Sequence, residues 1–219
     1  MGENIQLTAA DGHRFDAYQA TPDGNPRGGL VVIQEVFGLT DHIKRVTDRF
    51  AEAGYLAIAP ALFDRVSPGI ILSYDAVEEG RDVMLKLDLD ESLQDIAAAA
   101  EAARTDGKVA AVGYCWGGAM ADLAACRLAL NGAAAYYGGR LTSWLDLHPQ
   151  CPVLYHFGGN DALIPMTTLQ QIRAGRPEGI MYLYPEAGHG FNCEDRADFH
   201  PDSAGQALDR TLTFLASCI

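Results

Sequence analysis

The chain has 219 residues, 48% apolar and 21% charged, which is enough apolar material for a single core. A net charge of −13 repels both a nucleic-acid backbone and an anionic membrane surface, so neither is expected as a partner. No stretch approaches the roughly eighteen apolar residues of a membrane span, and the polar first twenty residues lack the apolar run of a secretory signal.

Five cysteines, Cys115, Cys126, Cys151, Cys193 and Cys218, are odd in number and widely spaced, with no Cys-x-x-Cys pair. That pattern suggests neither a disulfide framework nor a zinc knuckle, and it leads to the expectation of a reduced, cytoplasmic protein.

In chain order, two alternating runs flank Asp11-Gly12, a hairpin signal that places a small antiparallel edge at the start. After a turn-rich stretch comes Leu30-Val-Val-Ile-Gln, a continuous apolar run of the kind shown by a strand covered on both faces. Residues 42–53 then carry apolar side chains at helical spacing, closed by Gly54. Residues 55–60 read as a buried strand, 93–103 as an alanine-rich helix and 108–113 as the next strand. A helix over 117–130 follows, then strands over 133–137 and 152–157. A helix after Pro165, a strand over 180–184 and a last helix near 203–216 complete the series. Such alternation predicts an α/β fold with a mainly parallel central sheet and helices on both faces, as one domain spanning 1–219. The one long excursion, at about 62–91, reads as a lid or a substrate-contacting insertion.

The stretch Ala111-Val-Gly-Tyr-Cys-Trp-Gly-Gly runs from a strand through a glycine-flanked turn into a helix. A nucleophile at such an elbow needs small neighbours because the turn is strained, and Gly113 and Gly117 supply them two residues to either side. The helix that follows points its amino end at the side chain, which favours a thiolate at Cys115. The bland alternative is a small buried cysteine in a tightly packed turn.

Partners for a nucleophile of this kind follow it along the chain, each in a loop after a later strand. Of six histidines, His156 lies inside an apolar strand and reads as a satisfied core imidazole, while His13, His42, His148 and His200 read as surface or turn residues. His189 differs, because it follows the strand over 180–184 and is flanked by Gly188 and Gly190. Asp161, in Gly158-Gly-Asn-Asp, lies after the preceding strand; it is either an ordinary turn residue or the acid that orients His189. The order Cys115, Asp161, His189 makes these three the candidate triad. Glu35, at the end of the first buried strand, is a carboxylate placed where solvation is poor, and it is the candidate proton partner of the thiol.

With Gln34-Glu-Val-Phe-Gly, Gly113-Tyr-Cys-Trp-Gly-Gly, Gly158-Gly-Asn-Asp and Ala187-Gly-His-Gly-Phe taken together, the chain resembles the dienelactone hydrolase (carboxymethylenebutenolidase) family of the α/β-hydrolase superfamily over nearly its whole length. The resemblance implies Cys115 as nucleophile, His189 as base, Asp161 as its orienting acid and Glu35 as the carboxylate that holds or deprotonates the resting thiol. It also implies the backbone N–H groups of Val36 and Trp116 as an oxyanion hole, and an ester or lactone as substrate, opened through a thioester without metal or cofactor. The family holds its substrate carboxylate with two arginines; this chain has Val77 and Cys193 at those positions. Arg81, Tyr74, Phe37 and Tyr137 are the candidate substrate contacts, with Arg196 as a second basic residue near the site. A monomer or small homo-oligomer is expected.

Two other classes remain open at this point. A non-catalytic relative would lack a triad member, and none is missing. A thiol-redox protein would need a resolving cysteine, and Cys126 lies eleven residues on, some ~16 Å along a helix.

Overall fold

A computed structural model describes residues 2–219. The chain divides into two compact units, one running to Ala111 and joined by Ile219, the other spanning Val112–Cys218. The eight strands follow the order β1-β2-β4-β3-β5-β6-β7-β8.

In the first unit β1 (Glu3–Thr8) and β2 (Arg14–Ala20) form the expected antiparallel hairpin, with Leu7 opposite Phe15 and Gly12 at φ 88° in the turn. β2 pairs antiparallel with β4 (Leu56–Pro60), and β4 pairs parallel with β3 (Gly29–Ile33), whose five residues are all buried. Helix α1 (Asp41–Glu52) starts one residue before the apolar period does, because the Thr40 hydroxyl accepts from the Ile43 N–H at 3.4 Å and fixes the cap. Helix α3 (Leu89–Ala103) starts four residues early for the same reason, with Asp88 accepting from Asp90 and Glu91 at 2.8 and 3.0 Å. Its polar first turn carries no apolar signal. Ala99, Ala100 and Ala103 are buried and let α3 lie close on β3 and β4. Between β4 and α3 the excursion holds a short 3-10 helix (Leu62–Arg65) and helix α2 (Val77–Met84). β5 (Val109–Tyr114) closes this half of the chain.

The histidine expectation fails at His42. Placed at the outermost end of a helical run, it reads as a surface residue; in the structure it is fully buried. Its place on the helix explains the change, since residues 42, 46 and 50 lie one turn apart on the inner face of α1.

The second unit is built around α4 (Trp116–Arg127), which is buried at every position from Trp116 to Cys126. β6 (Gly132–Tyr136), a short 3-10 helix (Gly139–Trp144), β7 (Val153–Gly158), α5 (Met166–Gly175), β8 (Ile180–Tyr184) and α6 (Pro201–Cys218) follow. β6, β7 and β8 pair in parallel. A Cβ on Gly118 would collide with the Tyr136 carbonyl, and one on Gly138 would stand 2.6 Å from the Ala119 nitrogen. The helix therefore lies flush on a strand whose central residues, Ala133 to Ala135, are all alanine. His156, on β7, is the satisfied core imidazole expected: Nδ1 lies 2.8 Å from the Tyr184 hydroxyl and Nε2 3.0 Å from that of Thr211. Burial, helped by the charge of Arg210, brings its pKa down to about 3.

One buried charge sits in α4. Asp122 accepts from Arg176 at 2.9 and 2.8 Å, from the Tyr155 hydroxyl at 2.6 Å and from the Trp144 indole at 2.9 Å. Arg176 in turn donates to the carbonyls of Leu147 and Gly175 at 2.9 and 3.0 Å. Every charge in this cluster is answered, so the cost of disturbing it is the cost of orphaning one ion. Arg176→Met should lower stability by about 3–5 kcal/mol in urea unfolding. Adding Asp122→Asn to that variant should restore about 1 kcal/mol or more, because the amide is neutral and still accepts from Tyr155. A double variant no more stable than Arg176→Met would show that lost packing, and not the orphaned carboxylate, sets the cost.

Candidate active site

β5 ends at Tyr114 and α4 starts at Trp116, leaving Cys115 alone between them with φ 55° and ψ −118°. That conformation costs an L-residue on the order of 1–3 kcal/mol and persists only where its surroundings enforce it. Three backbone hydrogen bonds do so: Cys115 donates to the Tyr136 carbonyl at 3.0 Å and accepts from Gly118 and Ala119 at 3.0 and 3.2 Å. Gly113 is required because a Cβ there would run into the Gly117 carbonyl. The result is a half-exposed thiol at the amino end of a buried helix.

Two glycine-rich loops carry the other members. Asn160 donates to the Ala187 carbonyl at 2.9 Å and Gly159 to that of Tyr184 at 2.7 Å. A Cβ on Gly158 would collide with the Ala187 carbonyl, and one on Gly159 would stand 2.7 Å from that of Pro185. The pair Gly158-Gly159 thus lets the loop after β7 lie against the loop after β8, which sets Asp161 beside His189.

The two oxygens of Asp161 have different partners. Oδ1 accepts from the Leu163 and Ile164 amides at 2.8 and 3.2 Å, as a turn residue does. Oδ2 lies 2.8 Å from His189 Nδ1. His189 Nε2 lies 3.1 Å from the Cys115 sulfur, so thiol, imidazole and carboxylate form one continuous line. Burial works against charge on His189, but the hydrogen bonds to Asp161 and Cys115 prevail and raise its pKa to about 10.

Tyr137, also buried and at φ 40°, sets its ring 5.1 Å from the imidazole, with Phe191 edge-on to it at 5.4 Å. Phe191 and the helix-seating Gly118 are the last residues of two motifs quoted from the sequence, which gives neither a role of its own. Cys193 is fully buried, its N–H donating to the Gly190 carbonyl at 2.9 Å. The Arg196 guanidinium lies over Gly190, one residue from His189; a Cβ at 190 would be 2.5 Å from Nη1. Arg196 also approaches Asp198 at 3.5 Å.

The remaining candidates, Trp116 excepted, lie in the first unit. Glu35 follows β3 and is buried, as are Val36 and Phe37. The Phe37 ring meets that of Tyr74 edge-on at 4.8 Å, and the Tyr74 hydroxyl is 3.2 Å from that of Thr40. Arg81, on α2, is 41% exposed at its side chain and paired with Glu78 on the same helix at 2.8 Å. Trp116 is the first residue of α4, with its side chain buried. Among the described residues no group of three or more His, Cys, Asp or Glu is placed to hold a metal ion, and no helix is long and apolar enough to cross a membrane.

The comparisons with known proteins agree with one another. The dienelactone hydrolase family model matches residues 15–219. The chain is 34% identical over 229 residues to a carboxymethylenebutenolidase of Pseudomonas putida, covering 99% of this chain and 97% of that one. It is 29% identical over 228 residues to carboxymethylenebutenolidase 1 of Cupriavidus pinatubonensis, with the same coverage. A crystal structure of a candidate dienelactone hydrolase from Klebsiella pneumoniae superimposes with a TM-score of 0.84 at 29% identity, covering 98% of this chain and 99% of that one. A dienelactone hydrolase-like promiscuous phosphotriesterase from metagenomic libraries, at 20% identity and a TM-score of 0.79 over 99% and 98% of the two chains, shares the fold. By its family match, its full-length relatives and its α/β-hydrolase fold, the chain belongs to the dienelactone hydrolase family and is a hydrolase of lactone or ester bonds.

Proposed function

We propose that the protein cleaves carboxylic esters or lactones by covalent catalysis at Cys115. The observation that carries this reading is the line from sulfur through imidazole to carboxylate at 3.1 and 2.8 Å, mounted on a strained elbow. The thiol proton passes to His189 Nε2, and the imidazolium, favoured by Asp161, stabilises the thiolate beside it. The thiolate attacks the carbonyl carbon, and the N–H groups of Val36 and Trp116 serve as oxyanion donors. As the tetrahedral adduct collapses, the C–O bond breaks and the alkoxide takes the proton from His189, leaving a thioester. Water then gives a proton to His189 and adds to the thioester; collapse of that adduct expels the thiolate and releases the acid.

The family resemblance assigns Glu35 to holding or deprotonating the resting thiol. An amide is a poor substrate for this sequence, because the thiolate leaves far more readily than an amine. The relatives' carboxymethylenebutenolidase activity concerns a carboxylate-bearing lactone, for which the family's two arginines supply paired donors. With Cys193 buried and Val77 at the start of α2, we assign this protein a preference for other esters or lactones over a small anionic dienelactone. A thiol-redox use finds less support: burial, with the charge of Asp122, pushes Cys126 up to about 11, and burial pushes Cys151 up to about 12. All five cysteines are free, and a working thiol fits the reducing, cytoplasmic setting proposed for it.

Iodoacetamide should inactivate the enzyme with the label on Cys115, and Cys115→Ala should abolish hydrolysis of p-nitrophenyl esters and lactones. Full inactivation with label confined to the other four cysteines would overturn the assignment. Asp161→Asn should lower kcat by about 10³–10⁴-fold through the wrong imidazole tautomer. Glu35→Gln should slow acylation and move the acid limb of the pH profile; an unchanged profile would make Glu35 structural.

The raised pKa of His189 also makes a claim about stability. Its folded value, about 10, exceeds the unfolded 6.5, so its contribution is complete below pH 6.5 and fades as pH climbs toward 10. Unfolding free energy should therefore fall as pH rises toward 10, and the slope should flatten in His189→Gln. Parallel slopes in the two proteins would remove His189 as the source.

A further inference from the structure

The excursion between β4 and α3 grips the loop after β3 at three consecutive residues. At Val36 the contact is with α2: Gly80 is buried, and a Cβ on it would collide with the Val36 carbonyl oxygen and stand 3.1 Å from the carbonyl carbon. The Hα of Gly80 therefore faces that oxygen, a close approach that only glycine permits. At Phe37 the carbonyl accepts from the Leu72 N–H at 2.9 Å. At Gly38, held at φ 85°, an isolated antiparallel bridge pairs the residue with Ile71, and a Cβ would collide with the Ile70 carbonyl. Tyr74 adds its ring against Phe37 and its hydroxyl against Thr40. Gly80 is itself tied into its helix by a 3.0 Å hydrogen bond to the Ala76 carbonyl, so the surface it offers Val36 is a rigid one.

A segment poised to open and close over a site would meet its neighbours through side chains that part easily. This one meets the backbone, at positions where no added atom fits. We propose that the excursion is a buttress and that Gly80 is a positioning residue: by fixing the Val36–Phe37 peptide it holds the Val36 Cα, and through it the preceding Glu35–Val36 peptide, whose N–H must keep the direction an oxyanion requires. The inference rests on the assignment of the Val36 N–H as an oxyanion donor under the proposed function. The physical reason is the steepness of that interaction: a donor serves only within about 2.7–3.1 Å of the developing oxyanion, so a shift of a few tenths of an ångström forced by one methyl group is felt in kcat.

The test separates chemistry that forms an oxyanion from chemistry that does not. Gly80→Ala should lower kcat on p-nitrophenyl esters by at least tenfold with KM changed less than threefold. Alkylation of Cys115 by iodoacetamide, which creates no oxyanion, should keep its rate within twofold of the parent. Glu79→Ala, one residue away on the exposed side of α2, should match the parent in both assays. Leu72→Pro deletes the donor to Phe37 at a half-buried loop position and should reproduce the selective fall in kcat, so it decides the matter if Gly80→Ala does not fold. An unchanged kcat, or hydrolysis and alkylation falling together in a folded variant, would overturn the buttress. Cys115→Ala is run alongside: if it still hydrolyses the esters, the thiol mechanism has failed, whatever α2 does.

Discussion

Cys115 is held in a backbone conformation that its own side chain resists, and much of the second unit is arranged so that it cannot relax. Its N–H is fixed to the Tyr136 carbonyl at the end of β6, and its C=O to the first turn of α4. For both to hold, helix and strand must lie closer than ordinary side chains allow. Hence Gly118 stands against Tyr136, Gly138 against Ala119, and a run of alanines fills the strand beneath. A helix seated this deeply is covered on all sides, so its one acid, Asp122, has to be met inside the protein. Arg176, Tyr155 and Trp144 meet it, which ties three further elements to the same helix.

Two imidazoles of this unit, His156 fully buried and His189 half-buried, show how far partner chemistry governs charge. His156 and His189 are both largely removed from water, and desolvation pushes both toward the neutral form. His156 has two hydroxyl partners, groups that donate or accept equally well and give a proton no reason to stay. His189 lies between a carboxylate and a thiol, and there the electrostatic gain exceeds the desolvation cost.

What could be read from the sequence was whatever repeats or breaks a period. The strand runs, the Asp-Gly hairpin and the βα alternation carry the fold, and glycines beside Cys115, Asp161 and His189 mark where the backbone must come close. Helix starts were missed where the first turn is polar, as at Asp41 and Leu89, because a cap is a local hydrogen bond and leaves no mark on apolar spacing. His42 is misread for another reason: a polar residue on the face shared by Val46 and Phe50 looks, by type, like a surface one. Helix α2 could not be found within its excursion, since eight mixed residues carry too short a period, and the importance of Gly80 is a contact with residue 36, distant in sequence. The left-handed backbone of Tyr137 likewise has no sequence signature, because tyrosine is not a residue that advertises positive φ.

The divided duty of Asp161 limits where this site can go in evolution. One oxygen closes the turn after β7 and the other lies against the imidazole of His189, so under the proposed mechanism local architecture and catalysis share a single carboxylate. A lineage that moved the acid to a different strand would first need another residue to close that turn, and a lineage that discarded the chemistry would still be under pressure to keep the aspartate. Persistence of an acid at this position is therefore weaker testimony to activity than persistence of the cysteine, whose strained setting serves no purpose once the thiol is idle.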